Sequence, residues 1–209
     1  MKKGRGWIIA GILFFLAAAI YSLHNLYLDY SAGVVSQEIY EKLQEQIGDA
    51  STDDGGQDSA GLVQPLYEQY PNMEMPIVEI DGYGYFGTLE IEEIGLALPV
   101  MTDWSYDRLE MAACRYSGSV YSHDIVICGH NYRSMFSPIK WLETGTEAVF
   151  TDVDGHAFYY ELSYTDVISP ENIEDMVTAD GSWDLTLFTC TTGGTARRAI
   201  RCVRVEEAS

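Results

Sequence analysis

Three patterns of apolar and polar residues follow one another along the chain. Residues 7–23 (WIIAGILFFLAAAIYSL) carry no charge and are about the shortest run that crosses a bilayer as a helix. Lys2, Lys3 and Arg5 precede the run, and Asp29 and Glu38 follow it, so the positive-inside rule places residues 1–6 in the cytoplasm and the remainder outside the cell. Ala17 and Ala19 form an A-x-A pattern that a cleaved signal peptide would also show, but the apolar run continues through Ile20 and Leu23 without a polar cleavage region, which favours a retained anchor. Beyond it, Leu26, Tyr30, Val34, Ile39, Leu43 and Ile47 recur at spacings of four or five, which predicts a helical stalk or packing helix over 24–47. Gly48 and the Gly-, Ser- and Asp-rich stretch after it read as a helix break and a flexible linker, so residues 48–84 are assigned to linker and lead-in.

From residue 85 to 209 the pattern changes to short apolar or alternating runs between turn signals, the character of an antiparallel β domain. Strands are predicted over 86–94 and 96–101, hinged at Gly95, with a short helix over 105–113 before the sheet resumes at Cys114. Residues 124–129 (DIVICG) form a buried-type strand that delivers His130 to its end, followed by helical residues through Trp141. Residues 147–151 and 156–168 flank Asp154-Gly155 and predict a tight hairpin in which both turn residues take positive φ. Residues 185–189 and 197–205 form a last pair around the loop TTGGTA, which leaves Cys190 where a strand passes into a loop.

Composition narrows the function. A formal charge of -20 from 32 acidic and 12 basic residues argues against nucleic-acid binding. Cys114, Cys128, Cys190 and Cys202 contain no CxxC pair and no dense spacing, so the fold is not a disulfide scaffold and buried free thiols are the default. Cys128 shares a strand face with His130, but the paired-ligand spacing of a zinc site is absent. His123 and His156 read as surface residues, and Arg201 and Arg204 as solubilising charges on an edge strand. Thiol catalysis needs a nucleophilic sulfur, a proton donor for the leaving amine and a group for the oxyanion. Cys190, His130 and an arginine of the last strand supply these chemistries. Arg197 and Arg198 compete for the third place; Arg198 shares its face with Ile200 and Cys202, the more apolar of the two, and alternation therefore favours Arg198.

Thr186-Leu187-Phe188-Thr189-Cys190, followed by a strand bearing Arg198, resembles the Thr-Leu-x-Thr-Cys signature of the sortases. Ile125-Val126-Ile127-Cys128-Gly129-His130 is similar to the family's apolar strand ending in Gly-His, and Gly87-Thr88-Leu89-Glu90-Ile91 with Leu98-Pro99-Val100 resembles its opening strands. The resemblance implies a closed eight-stranded β-barrel with short helices behind an N-terminal transmembrane helix. It further implies a transpeptidase in which Cys190, His130 and Arg198 cleave a Leu-Pro-x-Thr-Gly-like sorting signal through a thioester. The acyl group then passes to an amine of a cell-wall precursor or a pilin lysine, without metal or cofactor. Ser134-Met135-Phe136 looks most like class B, whereas the short stretch between Tyr164 and Asp184 does not, so the subclass stays open. The rival readings are a surface cysteine peptidase that only hydrolyses and a non-enzymatic anchored adhesion module.

Overall fold

The computed structural model of the chain describes residues 3–53, 65–177 and 181–206. Among them, nine strands make one sheet: β1 (Val78–Ile80), β2 (Tyr83–Ile91), β3 (Leu96–Met101), β4 (Ala113–Ser117), β5 (Ile125–Cys128), β6 (Glu147–Asp152), β7 (Ala157–Ile168), β8 (Leu185–Cys190) and β9 (Arg197–Val205). Their order is β1-β2-β3-β4-β5-β8-β9-β7-β6, and β6 pairs back onto β2. Eight strands, β2 to β9, thus close into the expected barrel, while β1 takes the first residues of β2 and extends its edge. Closure leaves no long unpaired edge. It depends on Gly87, where the β2 ladder slips: a Cβ there would lie 1.9 Å from the Thr151 carbonyl oxygen on β6.

Strand alternation sends two sets of side chains to opposite faces. Leu89, Leu98, Ile125, Ile127, Phe150, Phe158, Leu187 and Ile200 fill the barrel interior. Tyr85, Met101, Cys114, Val126, Cys128, Phe188 and Ala199 point outward and are buried by elements laid over the sheet. One of these is α1 (Lys3–Asp53), a single helix that includes residues 7–23 and is, among the described residues, the one helix long and apolar enough to span a membrane. Residues 6–27 are exposed on nearly all sides, whereas Ala32, Ser36, Ile39, Leu43 and Ile47 form a buried stripe against β1, β2 and β3. The packing helix is therefore continuous with the apolar run 7–23, with Leu26, Tyr30 and Val34 on its exposed side. Tyr40 donates to Glu90 at 2.8 Å and Lys42 pairs with Asp81 at 2.9 Å, fixing the helix in register.

Gly48 does not end this helix, which continues to Asp53; the cost of one glycine, about 1 kcal/mol, is small beside the burial of Ile47 next to it. Of the linker, residues 54–64 lie outside the described residues. The lead-in is no spacer, because Tyr67 of α2 (Leu66–Gln69) stacks on Tyr121 at 4.8 Å and Met75 is buried in the core. The helix expected over 105–113 is the single turn α3 (Tyr106–Leu109), capped by the Ser105 hydroxyl. The β6–β7 hairpin forms around Asp154-Gly155, but only Gly155 takes positive φ, at 87°. Asp152 explains the difference: its carboxylate accepts from the N–H groups of Asp154 and His156 and holds a longer loop.

Candidate active site

Strands β5 and β8 run parallel, with Cys128 beside Phe188. Past that pair, Gly129 N–H donates to the Phe188 carbonyl at 3.1 Å, and the Thr189 hydroxyl donates to the Gly129 carbonyl at 2.8 Å. His130 and Cys190 are the next residues on each side and stand at the ends of neighbouring strands. Glycine is required before the histidine because a Cβ at Gly129 would meet the Phe136 ring at 2.4 Å. Phe136 N–H in turn donates to the His130 carbonyl at 3.1 Å, so the chain curls back over its own strand end. Tyr132 lies flat on the His130 imidazole, with ring centroids 3.8 Å apart.

Half-burial of His130 lowers its pKa below the ordinary 6.5, and the negative charges of Glu110 and Asp29 act in the opposite direction. All four cysteines are free. Burial pushes the Cys114 and Cys202 thiols up to about 12 and Cys128 still higher. Cys190 alone of the four is not fully buried, so thiolate chemistry with an outside molecule is confined to it.

The two arginines at the start of β9 take different positions. Arg198 is the register partner of Thr189 and shares its face with Ile200 and Cys202, which point into the barrel. Arg197 is the register partner of Cys190, on the same face of the sheet, and lines the groove that contains Cys190. Alternation read from the sequence selected the apolar face. That apolar face is the barrel interior, whereas Cys190 and its register partner Arg197 lie on the outer one, where the Arg197 guanidinium donates to the Gly194 and Ala196 carbonyls of the loop.

The groove has a volume of about 280 Å3. Trp104, Tyr116 and Phe188 wall one side in a chain of ring contacts, at 5.5 and 5.2 Å between centroids. The other side is the connection from β7 into α4 (Ile173–Val177), with Pro170, Ile173 and Met176 turned toward the opening. Arg201 pins this wall to the sheet and is only 1% exposed, contrary to the surface role expected for it. Its guanidinium donates to the carbonyls of Met176 at 3.1 Å and of Asp175, and to the Thr186 hydroxyl at 2.6 Å, and it stacks on Trp183 at 4.4 Å. The expectation failed because β9 lies between β8 and β7 and is no edge strand. Arg204 likewise lies over the Phe158 ring at 4.7 Å. His123 and His156 are exposed in part and paired: His123 with Asp184 at 3.2 Å, His156 with buried Asp152 at 3.1 Å.

Sequence reasoning weighed Arg197 against Arg198 by alternation alone, whereas counting outward from TTGGTA pairs Cys190 with residue 197. It missed the Arg201 strap and the aromatic wall, which are contacts between distant segments and have no local signature.

A family model described as Sortase domain matches residues 89–205. Among solved structures, a Clostridium perfringens sortase D5 transpeptidase superposes with a TM-score of 0.58 at 19% identity, over 82% of this chain and 99% of that one. Sortase A from Corynebacterium diphtheriae gives 0.55 at 19% identity, over 92% and 97%. Sortase C1 from Streptococcus suis gives 0.52 at 23% identity, over 60% and 75%. These structural likenesses carry the fold. A search among curated proteins returned no match.

Proposed function

Because the chain belongs to the sortase family, which are cysteine transpeptidases, we propose that Cys190 is its nucleophile, His130 its proton-transfer group and Arg197 its oxyanion partner. The observation that supports this reading is the bonding of the β5 and β8 ends to each other just before His130 and Cys190, with Cys190 and its register partner Arg197 both lining the groove. The Cys190 sulfur attacks the carbonyl carbon of a peptide bond and its proton passes to His130. The oxyanion that forms faces the Arg197 guanidinium, whose fixed positive charge stabilises it more than it stabilises the neutral carbonyl. Collapse breaks the C–N bond, the departing amine takes the proton from His130, and a thioester remains on Cys190. An incoming amine then attacks the thioester, His130 takes its proton and passes it to the departing Cys190 sulfur as the C–S bond breaks, and the new amide leaves, so no net oxidation or hydrolysis occurs.

The acyl donor is a Leu-Pro-x-Thr-Gly-like sorting signal on a surface protein, and the acceptor an amine of a cell-wall precursor or a pilin lysine. The apolar, aromatic lining of the groove supports an extended, uncharged donor segment. The exposed apolar start of α1 supports a single-pass anchor over 7–23, with the N-terminus cytoplasmic and the barrel outside the cell. The full chain in detergent micelles, incubated with sorting peptides and an amine acceptor and followed by mass spectrometry, gives the ligated product and a Cys190 thioester. Ligation that survives intact in Cys190→Ala sinks the assignment, and hydrolysed product in excess amine identifies a peptidase instead.

A further inference from the structure

The loop after His130 is held from two sides. On the inner side Phe136 covers Gly129, and the Tyr132 carbonyl accepts from the N–H groups of Met135 and Ser137. On the outer side the loop is clasped by α1. The Asp29 carboxylate accepts from Ser134 N–H at 3.1 Å and from its hydroxyl at 2.7 Å, and the same hydroxyl lies 2.9 Å from the Asp29 carbonyl. One turn on, Gly33 allows the close approach, since a Cβ there would lie 2.8 Å from the Ser134 Cβ. Ala32 is buried in the barrel's own core cluster, so the clasp is continuous with the packed body. Asp29 stands six residues beyond Leu23, about 9 Å along the helix axis at 1.5 Å per residue.

We propose that Asp29, on the membrane-proximal turn of α1, is a positioning residue for His130 that acts through Ser134. The anchor helix thereby becomes part of the catalytic apparatus. The inference rests on His130 being the proton-transfer group proposed above. The charged and titratable groups that act on the imidazole are Asp29 from α1 and Glu110 after α3, with Tyr132 stacked on it, and Cys190 ends the strand paired with that of His130. Arg133 lies along the same helix groove as Asp29. Asp29 and Glu110 both favour the imidazolium against the effect of burial. The chemistry is geometric and electrostatic together: a carboxylate fixes the loop by two hydrogen bonds and biases the proton on the histidine it carries.

The test uses the full chain in detergent micelles, with the His130 resonance assigned by His130→Gln and titrated by NMR, and with the rate of Cys190 alkylation by iodoacetamide measured across the same pH range. Asp29→Asn keeps an acceptor for Ser134 and removes the charge; the His130 midpoint moves down while the melting temperature holds. Asp29→Ala removes both, moves the midpoint down and slows alkylation at neutral pH about tenfold. Asp29→Glu restores the midpoint, and Glu41→Gln, on the same helix groove without contact to Ser134, leaves both readouts as they were. A His130 midpoint in Asp29→Ala that coincides with wild type overturns the proposal. Loss of the functional reading is separate, since ligation by Cys190→Ala would refute that reading while the His130 titration still reported the clasp.

Discussion

At the scale of single residues, the face of a strand decides chemistry. Arg197 and Arg198 are adjacent and chemically identical, yet one shares a groove with Cys190 and the other begins the row that fills the barrel. Arg197→Ala should therefore lower kcat of ligation about 100-fold, as loss of an oxyanion donor does, with Arg198→Ala affecting melting more than turnover. His130 gives a pH dependence of known sign. In the unfolded chain it takes up a proton near pH 6.5, and in the folded chain burial delays that uptake to lower pH. The stability contributed by neutral His130 is complete above pH 6.5 and declines as pH falls below it toward the folded pKa, because the unfolded state then binds more protons. Denaturant melts of Cys190→Ala should show a steeper loss of stability just below pH 6.5 than the double variant with His130→Gln.

Elements outside the barrel govern what the site can do. The buried stripe of α1 holds the helix to β1, β2 and β3, and Leu43, fully buried at its centre, should cost 2–5 kcal/mol on replacement by alanine in a denaturant melt, a range of about that size being usual for core leucines. A loss below about 1 kcal/mol would mean that the helix is not docked in solution. On the other side of the groove, α4 is too short to be stable alone and is tied down by Arg201. Arg201→Met leaves the Met176 and Asp175 carbonyls without this donor. It should raise KM for the donor peptide several-fold, on the order of 1 kcal/mol of binding, with a smaller change in kcat. An unchanged KM would show that the wall stands without the guanidinium.

For the molecule as a whole, closure of the sheet is what brings the parts together. Gly87→Ala forces a methyl group onto the Thr151 carbonyl at the β2–β6 seam, and calorimetry should record a loss of about 3 kcal/mol or more, roughly 6–12 °C in Tm for a chain of this size. Most of the barrel was legible in advance, since strand boundaries follow from period-two patterning and turn residues, which are local. Leu96–Met101 and Arg197–Val205 run over the residues the pattern indicates. The run 7–23 was equally legible, because a bilayer-length apolar stretch needs no partner to be recognised. The candidate pair Cys190 and His130 could be named from residue types in sequence order, although the joining of the strand ends that carry them could not be. What the tertiary structure decided was everything that depends on which surface covers which. It set Arg197 rather than Arg198 on the sheet face that carries Cys190, buried Arg201 under a helix, and carried α1 past Gly48 and onto the His130 loop. Sequence fixes the periodicity of each segment, but inside and outside exist only once the sheet has closed and distant segments have excluded water from one of its faces.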